Sequence, residues 1–286
     1  MNRKNIIGLI LCLILFVASF ALTPSGLAGY WDLAALLVVF SGLGAAVLMA
    51  YPVETLRNAL AVARNAYATR QQTPEEVART LLDLSVRSRV DGVLSLERLE
   101  NLSRDTFLAG AVQCLVDNYK ENEIRDLLGA EMHFFALRRQ QSERIFQTLA
   151  RLGPAFGLAG SVIGIIGMIM GINDTAVILQ NIPVAFISTL YGVVLGNLVF
   201  APMAENIHHQ TRAQLLNQQL IMEGVAAMAR EQNPYKLERR LSAFLTPGLR
   251  PEQVQALRGI ARKHAKRRNE NGGSQEDAAS LLARAS

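Results

Sequence analysis

The chain has 286 residues, of which 50% are hydrophobic and 19% are charged, and its formal net charge is +5. This composition excludes an ordinary soluble domain, which is less apolar, and also a protein embedded wholly in lipid, which carries less charge. The basic residues are interleaved with acidic ones and no aromatic-rich basic motif accompanies them, so the sequence argues against a nucleic-acid-binding protein.

Four charge-free apolar stretches are long enough to cross a bilayer, which takes roughly 17–25 residues per helix. They cover residues 6–22, 33–51, 152–172 and 182–203. An alternative for the first stretch, which Arg3 and Lys4 precede, is a secretory signal. Its length, and the second span that follows about ten residues later, favour a retained helix. We therefore predict an all-α, polytopic membrane protein with four transmembrane helices and a helical cytoplasmic domain.

The loops at residues 23–32 and 173–181 contain no lysine or arginine, so all 29 basic residues lie elsewhere in the chain. Because cytoplasmic flanks of membrane helices accumulate these residues, the distribution places both termini and the middle segment in the cytoplasm. Tyr30 and Trp31, beside the first outer loop, are typical of an aromatic anchor at the membrane interface.

Between residues 53 and 151 the apolar residues recur at helical spacing, which predicts several amphipathic helices. Examples are Val77, Leu81 and Leu84, and then Leu108, Val112 and Leu115. Thr73 is the predicted N-cap of one helix, with Pro74 at its first position. Residues 90–92 form the next break in the pattern.

The residues after the last span predict one long polar helix over 205–230 that continues out of the membrane, and a short helix at 237–245. The end of the chain, with a basic run and a Gly-Gly-Ser break, is predicted to be mobile. Together these boundaries divide the chain into segments 1–52, 53–151, 152–203, 204–247 and 248–286.

Two pairs of residues invite a metal or disulfide interpretation. His208 and His209 are adjacent, so on a helix they point about 100° apart, and no third ligand is evident. Cys12 lies in an apolar run and Cys114 in the polar middle, which does not suit a disulfide. We predict a solvated helix surface for the histidines, packing roles for the cysteines and no metal site.

The third span carries a glycine stripe with alternating spacings of four and three, which lines one helix face. Its members are Gly153, Gly157, Gly160, Gly164, Gly167 and Gly171. The fourth span has a matching face of small residues that includes Ala185, Gly192 and Gly196. Such faces permit very close helix contact. They indicate either packing without a transport role, or contact with a partner helix along an ion path.

Three hydroxyl side chains accompany these faces: Ser161 in the third span, and Ser188 and Thr189 in the fourth. Each can bond back to a carbonyl four residues earlier or offer oxygen to a desolvated cation. Counting about 1.5 Å per residue from the cytoplasmic ends separates Ser161 and Thr189 by up to about 10 Å, so they need not form one site. Ion pathways normally need an ionisable group. Either the protein moves no ion, or a partner helix brings a carboxylate.

With these features the sequence resembles the MotA/PomA family of flagellar stator subunits, within the MotA/TolQ/ExbB superfamily. Four spans, arranged two plus two around a cytoplasmic segment, match MotA rather than the three-span ExbB and TolQ. Residues 154–164 are similar to the family's third-span signature, and residues 188–192 with 197–202 resemble its fourth span. Residues 88–97 resemble its charged patch and residues 233–247 its C-terminal region.

The resemblance implies a homopentamer in the lipid of the bacterial inner membrane, around two copies of a single-span, peptidoglycan-binding MotB/PomB-like subunit. That subunit's aspartate carries Na+ or H+, and the ring passes torque to the rotor protein FliG. Pro154 and Pro202 correspond to the family's gating prolines, and Thr189 to its fourth-span threonine. Arg89 and Glu97 correspond to its rotor-contacting charges, for which an ordinary solvated salt bridge is the alternative.

Ser161 stands where sodium-type members of the family usually have threonine and some proton-type members have alanine. With Ser188 and Thr189 this favours sodium slightly, but serine in place of threonine leaves the ion open. An ExbB/TolQ-like or defence-system energiser and a non-conducting membrane scaffold are the alternative functions. The sequence shows no paired nucleophile and base, phosphate loop or metal cluster, so we predict neither an enzyme nor a bound cofactor.

Overall fold

A computed structural model describes residues 27–68, 72–96 and 105–230, together with residues 11, 14–16, 18, 19, 21, 22, 237 and 241. The regular elements within these ranges are all helical, which confirms the predicted fold class. The α-helices are α1 (Leu33–Ala50), α2 (Val53–Ala68), α3 (Pro74–Val90), α4 (Thr106–Val116), α5 (Glu121–Met170), α6 (Thr175–Val194) and α7 (Ala201–Ala229). A 3-10 helix, Leu27–Tyr30, precedes α1, and a π-helix, Leu195–Phe200, joins α6 to α7.

Three helical runs are long and apolar enough to cross a membrane. They are Leu33–Ala50, Glu121–Met170 and Thr175–Ala229. They cover the predicted second span up to Ala50, the third up to Met170 and the whole of the fourth. The predicted first span lies only partly within the described residues, and seven of the eight described there, all but Leu22, are helical. The long polar helix predicted after the last span is confirmed, since α7 extends to Ala229.

The local signals at both ends of α3 are confirmed. Thr73 Oγ1 accepts a hydrogen bond from the backbone nitrogen of Glu76 (3.3 Å), and the Glu76 carboxylate accepts one from the backbone nitrogen of Thr73 (3.1 Å). This capping box satisfies two amide groups that the first turn of a helix leaves unpaired. Pro74 occupies the first turn. The helix ends at Val90, and Gly92 then adopts a positive φ of 83°, which glycine tolerates best.

The described residues of 1–70 and 137–211 form one compact unit. Helix α1 packs on α6 and buries a face of residues spaced by four, namely Ala35, Val39, Leu43 and Val47. Helix α2 buries three alanines, Ala59, Ala63 and Ala66, in a cluster with Ile145, Phe146, Ala204 and Ile207. Because alanine side chains are small, α2 can approach α5 and α7 closely. The side-chain amide of Gln210 also donates a hydrogen bond to the carbonyl oxygen of Ala66.

The described residues of 71–136 and 212–286 form a second compact unit with its own apolar core. The predicted periodic residues are buried there, as are residues from the start of α5 and the end of α7. They include Val77, Leu81, Leu84, Leu108, Val112, Leu115, Ile124, Leu128, Leu220 and Val225. Cys114 is buried in the same core, and this burial raises the pKa of its thiol. Its predicted packing role is confirmed, whereas Cys12 lies outside the described residues.

An ion-pair cluster in this second unit joins the start of α5 to the end of α7. The Arg125 guanidinium donates hydrogen bonds to both carboxylate oxygens of Glu223, one of them at 3.1 Å, and to Glu121 at 3.2 Å. The hydrogen bond to Glu223 is the main cause of the raised pKa of Arg125. Such a two-pronged guanidinium–carboxylate pair fixes both the distance and the orientation of its partners.

Candidate functional site

Helices α5 and α6 form a hairpin around a four-residue turn. Helix α5 ends at Met170, and α6 begins at Thr175. Asp174 closes the turn, because its Oδ1 accepts a hydrogen bond from the backbone nitrogen of Ala176 at 2.8 Å and so caps α6. The hairpin turns the glycine stripe of α5 towards the small-residue face of α6.

The glycine stripe packs directly on the backbone of α6. A methyl group added to Gly164 would lie 2.5 Å from the backbone nitrogen of Ala185, and one added to Gly153 would lie 2.8 Å from the carbonyl oxygen of Gly192. Since non-bonded carbon atoms in contact lie about 3.5–4.0 Å apart, neither glycine position has room for a side chain. The two helix backbones are therefore in contact.

The partners of the other stripe glycines move back along α6 as α5 advances, as expected for an antiparallel pair. Gly157 faces Ser188, Thr189 and Gly192, and Gly160 faces Ser188. Further along α5, Gly167 faces Asn181 and Gly171 faces Val177. From the side of the fourth span, Gly196 faces Ala150 and Pro154. The faces that we expected to receive a partner helix are thus filled by each other, because the tight turn brings them together within one chain. A second polypeptide must contact other faces of this hairpin.

Ser161 and Thr189 meet at the edge of this packed face, where both side chains are partly buried. Ser161 Oγ hydrogen-bonds with Thr189 Oγ1 and donates to the carbonyl oxygen of Ala185. Both hydroxyl oxygens also lie 3.4 Å from the carbonyl oxygen of Gly157. Two hydroxyl oxygens and two backbone carbonyl oxygens from two helices therefore converge on one point.

This contact corrects the expected separation of Ser161 and Thr189 by up to about 10 Å. Gly153, at the start of the third span, packs beside Gly196, whereas the count from the sequence had set that start level with Met203. The count therefore misplaced Thr189 by about one and a half helical turns. Hydropathy marks where polar residues resume along one helix, and it carries no information on the stagger between neighbouring helices.

Ser188 differs from its neighbour Thr189. Its side chain is fully buried between α5 and α6, and its Oγ donates a hydrogen bond to the carbonyl oxygen of Val184, 2.6 Å away. This is the back bond within the helix that we gave as the alternative to ion ligation. The geometry therefore assigns Ser188 to helix packing, and we do not place it on an ion path.

The two predicted gating prolines lie at defects in helical hydrogen bonding. Pro154 lies inside α5 and has no N–H to donate to the carbonyl of Ala150, four residues earlier. That carbonyl oxygen faces Gly196, and a methyl group there would be 2.7 Å from it. Pro202 is the second residue of α7 and follows the π-helix Leu195–Phe200. Because π-helical turns are frequent at functional sites, the location suits a gating role, which stays a prediction.

The predicted rotor-contact residues lie at the margin of the described chain. The backbone of Arg89 belongs to α3, but its side chain and the whole of Glu97 lie outside the described residues. The predicted tail at 248–286 also lies outside them, as does the predicted helix at 237–245 apart from residues 237 and 241. Contact of Arg89 and Glu97 with a rotor therefore stays a prediction.

The two adjacent histidines have separate carboxylate partners. His208 Nδ1 lies 3.1 Å from Glu143 Oε2 on α5, and His209 Nε2 lies 3.1 Å from Glu205 Oε1 on its own helix. Within the described ranges no group of three or more His, Cys, Asp or Glu side chains is placed to hold a metal ion. His209 is largely exposed, as predicted, whereas His208 helps to join α7 to α5.

Comparison with known proteins identifies the family. A model of the MotA/TolQ/ExbB proton channel family matches residues 99–220, which contain α4, α5, α6 and most of α7. Motility protein A of Borreliella burgdorferi is 29% identical over 91% of this chain and 100% of its own length. Residues 99–220 thus match the MotA/TolQ/ExbB proton channel family. The relatives support a flagellar stator ion-channel subunit of the MotA type, and the three long apolar helices support a multi-pass membrane protein.

Further relatives agree with the MotA-type assignment. Chemotaxis protein PomA of Vibrio alginolyticus is 28% identical over 78% of this chain and 87% of its own length. The solved flagellar MotAB stator complex from Bacillus subtilis contains a chain with the same fold, at a TM-score of 0.78 and 25% identity. The match covers 88% of this chain and 99% of the Bacillus subtilis chain.

Sequence reasoning missed Tyr191, which lies in α6 two residues after Thr189. Its hydroxyl donates a hydrogen bond to the carbonyl oxygen of Tyr30 (2.6 Å) and accepts one from the backbone nitrogen of Asp32 (3.2 Å). The available signal was a tyrosine in the middle of an apolar span, because a buried tyrosine hydroxyl usually has a polar partner.

Proposed function

We propose that five copies of this chain form a ring around two copies of a single-span MotB-like subunit, and that Na+ or H+ passing along α5 and α6 turns the ring. The observation that carries this proposal is the convergence of Ser161 and Thr189 between two membrane spans, residues 152–172 and 182–203, that contain no Asp, Glu, Lys, Arg or His. The Bacillus subtilis relative, a MotAB stator complex, supports the presence of a MotB-type partner.

The oxygen atoms around Ser161 and Thr189 suit a cation that has lost part of its water. Hard cations such as Na+ prefer oxygen ligands, and two hydroxyls and two carbonyls supply them here. Without an ion, the two hydroxyls satisfy each other and the carbonyl oxygens. An arriving cation replaces the hydroxyl–hydroxyl bond, so binding is an exchange of hydrogen bonds for ion contacts.

Within the membrane spans, neither helix carries a carboxylate, amine or imidazole that could take up and release a proton. Residues 152–172 and 182–203 contain no Asp, Glu, Lys, Arg or His. Since ion pathways through a bilayer normally use an ionisable residue, the carboxylate must come from the partner helix. With the packed face of the hairpin filled, that partner passes the exposed side of the Ser161–Thr189 pair.

The remaining parts of the proposal follow from the charge distribution and the family. Loops without lysine or arginine face outwards, so both termini and the middle segment, residues 53–151, lie in the cytoplasm. There Arg89 and Glu97 pass torque to the rotor protein FliG.

Substitution of the hydroxyl pair tests the ion path. We expect Ser161→Ala and Thr189→Val to lower motor speed most at low cation concentration, because each removes one oxygen ligand. Ser188→Ala is the matched control, since that hydroxyl bonds only within its own helix. Motor speed is measured in a deletion strain that carries each variant, against sodium at fixed proton-motive force and against pH at fixed sodium. Equal effects of Ser188→Ala and Ser161→Ala would refute the ion path.

Reconstitution tests the need for a partner. The purified chain alone, in vesicles with an imposed sodium or proton gradient, is expected to leave the gradient intact. Co-reconstitution with the MotB-like subunit, freed of any segment that blocks flow, is expected to dissipate it. Selective flux through the chain alone would contradict the proposal.

A further inference from the structure

Tyr191 links α6 to the start of α1 through two backbone groups. The carbonyl of Tyr30 ends the 3-10 helix Leu27–Tyr30, and the amide of Asp32 belongs to the N-cap of α1. The Tyr191 hydroxyl accepts the amide hydrogen of Asp32 and donates its own to Tyr30, so one side chain satisfies both groups. The Asp32 carboxylate meanwhile accepts the amide hydrogen of Ala35, within its own helix.

These backbone groups are shielded from water. The carbonyl of Tyr30, the amide of Asp32 and the hydroxyl of Tyr191 are all partly buried, at the point where the chain enters an apolar helix. A partly buried backbone group that loses its partner costs free energy comparable to that of a lost hydrogen bond. The Tyr191 hydroxyl therefore fixes the position of the first turn of α1 against α6.

Tyr191 and Thr189 anchor α6 on two different sides. Residues two apart on a helix point about 200° from each other, so one faces away from the other. Thr189 contacts Ser161 and Gly157 on α5, whereas Tyr191 contacts the entrance of α1. A rotation of α6 about its axis would break both sets of contacts, and the Tyr191 bonds therefore resist rotation of Thr189 away from Ser161.

We propose that Tyr191 is a positioning residue for the Ser161–Thr189 hydroxyl pair. Its hydroxyl holds α6 in the rotation that presents Thr189 Oγ1 to Ser161, and it does so from outside the ion path. This inference rests on the proposed function of the pair as a cation site.

Tyr191→Phe tests the inference, because it removes the hydroxyl and keeps the ring. Two control variants match it. Tyr51→Phe removes a 3.1 Å hydrogen bond to Thr148 at the other end of α1, and Tyr67→Phe removes a hydroxyl from a half-exposed side chain on α2. Motor speed per stator unit, and the number of units per motor, are measured against sodium and against pH in the deletion strain. Hydrogen–deuterium exchange of the purified stator complex is followed over residues 29–36.

We expect Tyr191→Phe to speed exchange over residues 29–36, because it removes both hydrogen bonds. We also expect it to raise the half-saturating cation concentration about two- to tenfold, which corresponds to the free energy of one hydrogen bond reaching the cation site. The number of units per motor is expected to stay the same. Both control variants are expected to keep the cation dependence of the unmodified protein.

Four results would overturn the inference. Unchanged exchange would show that the hydroxyl does not hold the start of α1. Faster exchange with fewer units, but with the same cation dependence per unit, would reduce Tyr191 to a structural role. An equal shift from Tyr51→Phe would show that any lost hydroxyl acts alike. Unmodified motors that respond to neither cation would remove the proposed function itself, and the exchange measurement would still report whether the contact exists.

Discussion

Gly164→Ala is the sharpest test of the contact between α5 and α6. The new methyl group would lie 2.5 Å from the backbone nitrogen of Ala185, so the helices must separate by about 1 Å to restore an ordinary contact distance. Overpacking of this kind costs about 1–3 kcal/mol. Gly44→Ala in α1 is the matched control, because a methyl group there meets no atom within 4 Å. Since both changes gain the same helix propensity, about 1 kcal/mol, the difference between them isolates the steric cost.

The free energy of unfolding of the purified protein in detergent, measured with increasing denaturant, is expected to be lower for Gly164→Ala than for Gly44→Ala by about 1–3 kcal/mol. Motor speed is expected to fall as well, because Ser161 lies one turn from Gly164 and loses its contact with Thr189 when the helices separate. Gly164→Leu is expected to prevent assembly or rotation. Equal stability and equal speed of the two alanine variants would refute the close backbone contact.

Two further predictions concern the compact units. Arg125→Leu removes the hydrogen bonds from Arg125 to the Glu223 carboxylate, which is 16% exposed, and is expected to cost about 1–3 kcal/mol. Arg87→Leu, in an exposed pair, is expected to cost less than about 1 kcal/mol. Phe146→Ala empties a buried position and is expected to cost about 3–5 kcal/mol, against about 0.5 kcal/mol for Phe134→Ala, which is 58% exposed. Denaturant unfolding of each pair measures these differences, and equal costs within either pair would contradict the burial described above.

The elements that the sequence predicted well are those with local causes. The capping box at Thr73 and Glu76 depends on residues three apart, and the buried face of α3 repeats every helical turn. The glycine stripe was also visible as a helical repeat. The ends of α5 were not, because hydropathy changes at residue 152 while the helix itself begins at Glu121.

The parts of the site that the sequence did not predict depend on how two helices are staggered and rotated. Ser188 and Thr189 are adjacent and chemically similar, yet one is buried against Gly160 and the other meets Ser161. Their side chains point about 100° apart, so the assignment depends on which side α5 occupies. The hydrogen bonds of Tyr191 depend in the same way on the position of α1. No pattern within one helix carries this information.

The contact of backbone with backbone along α5 and α6 has a mechanical consequence. No flexible side chain separates the two main chains at Gly153, Gly157 and Gly164, because main-chain atoms of α6 fill the space where a Cβ would lie. A force applied to one helix is therefore transmitted directly to the other, and the hairpin moves as one rigid unit. Glycine, usually associated with loose chain segments, here makes the membrane part of the subunit rigid.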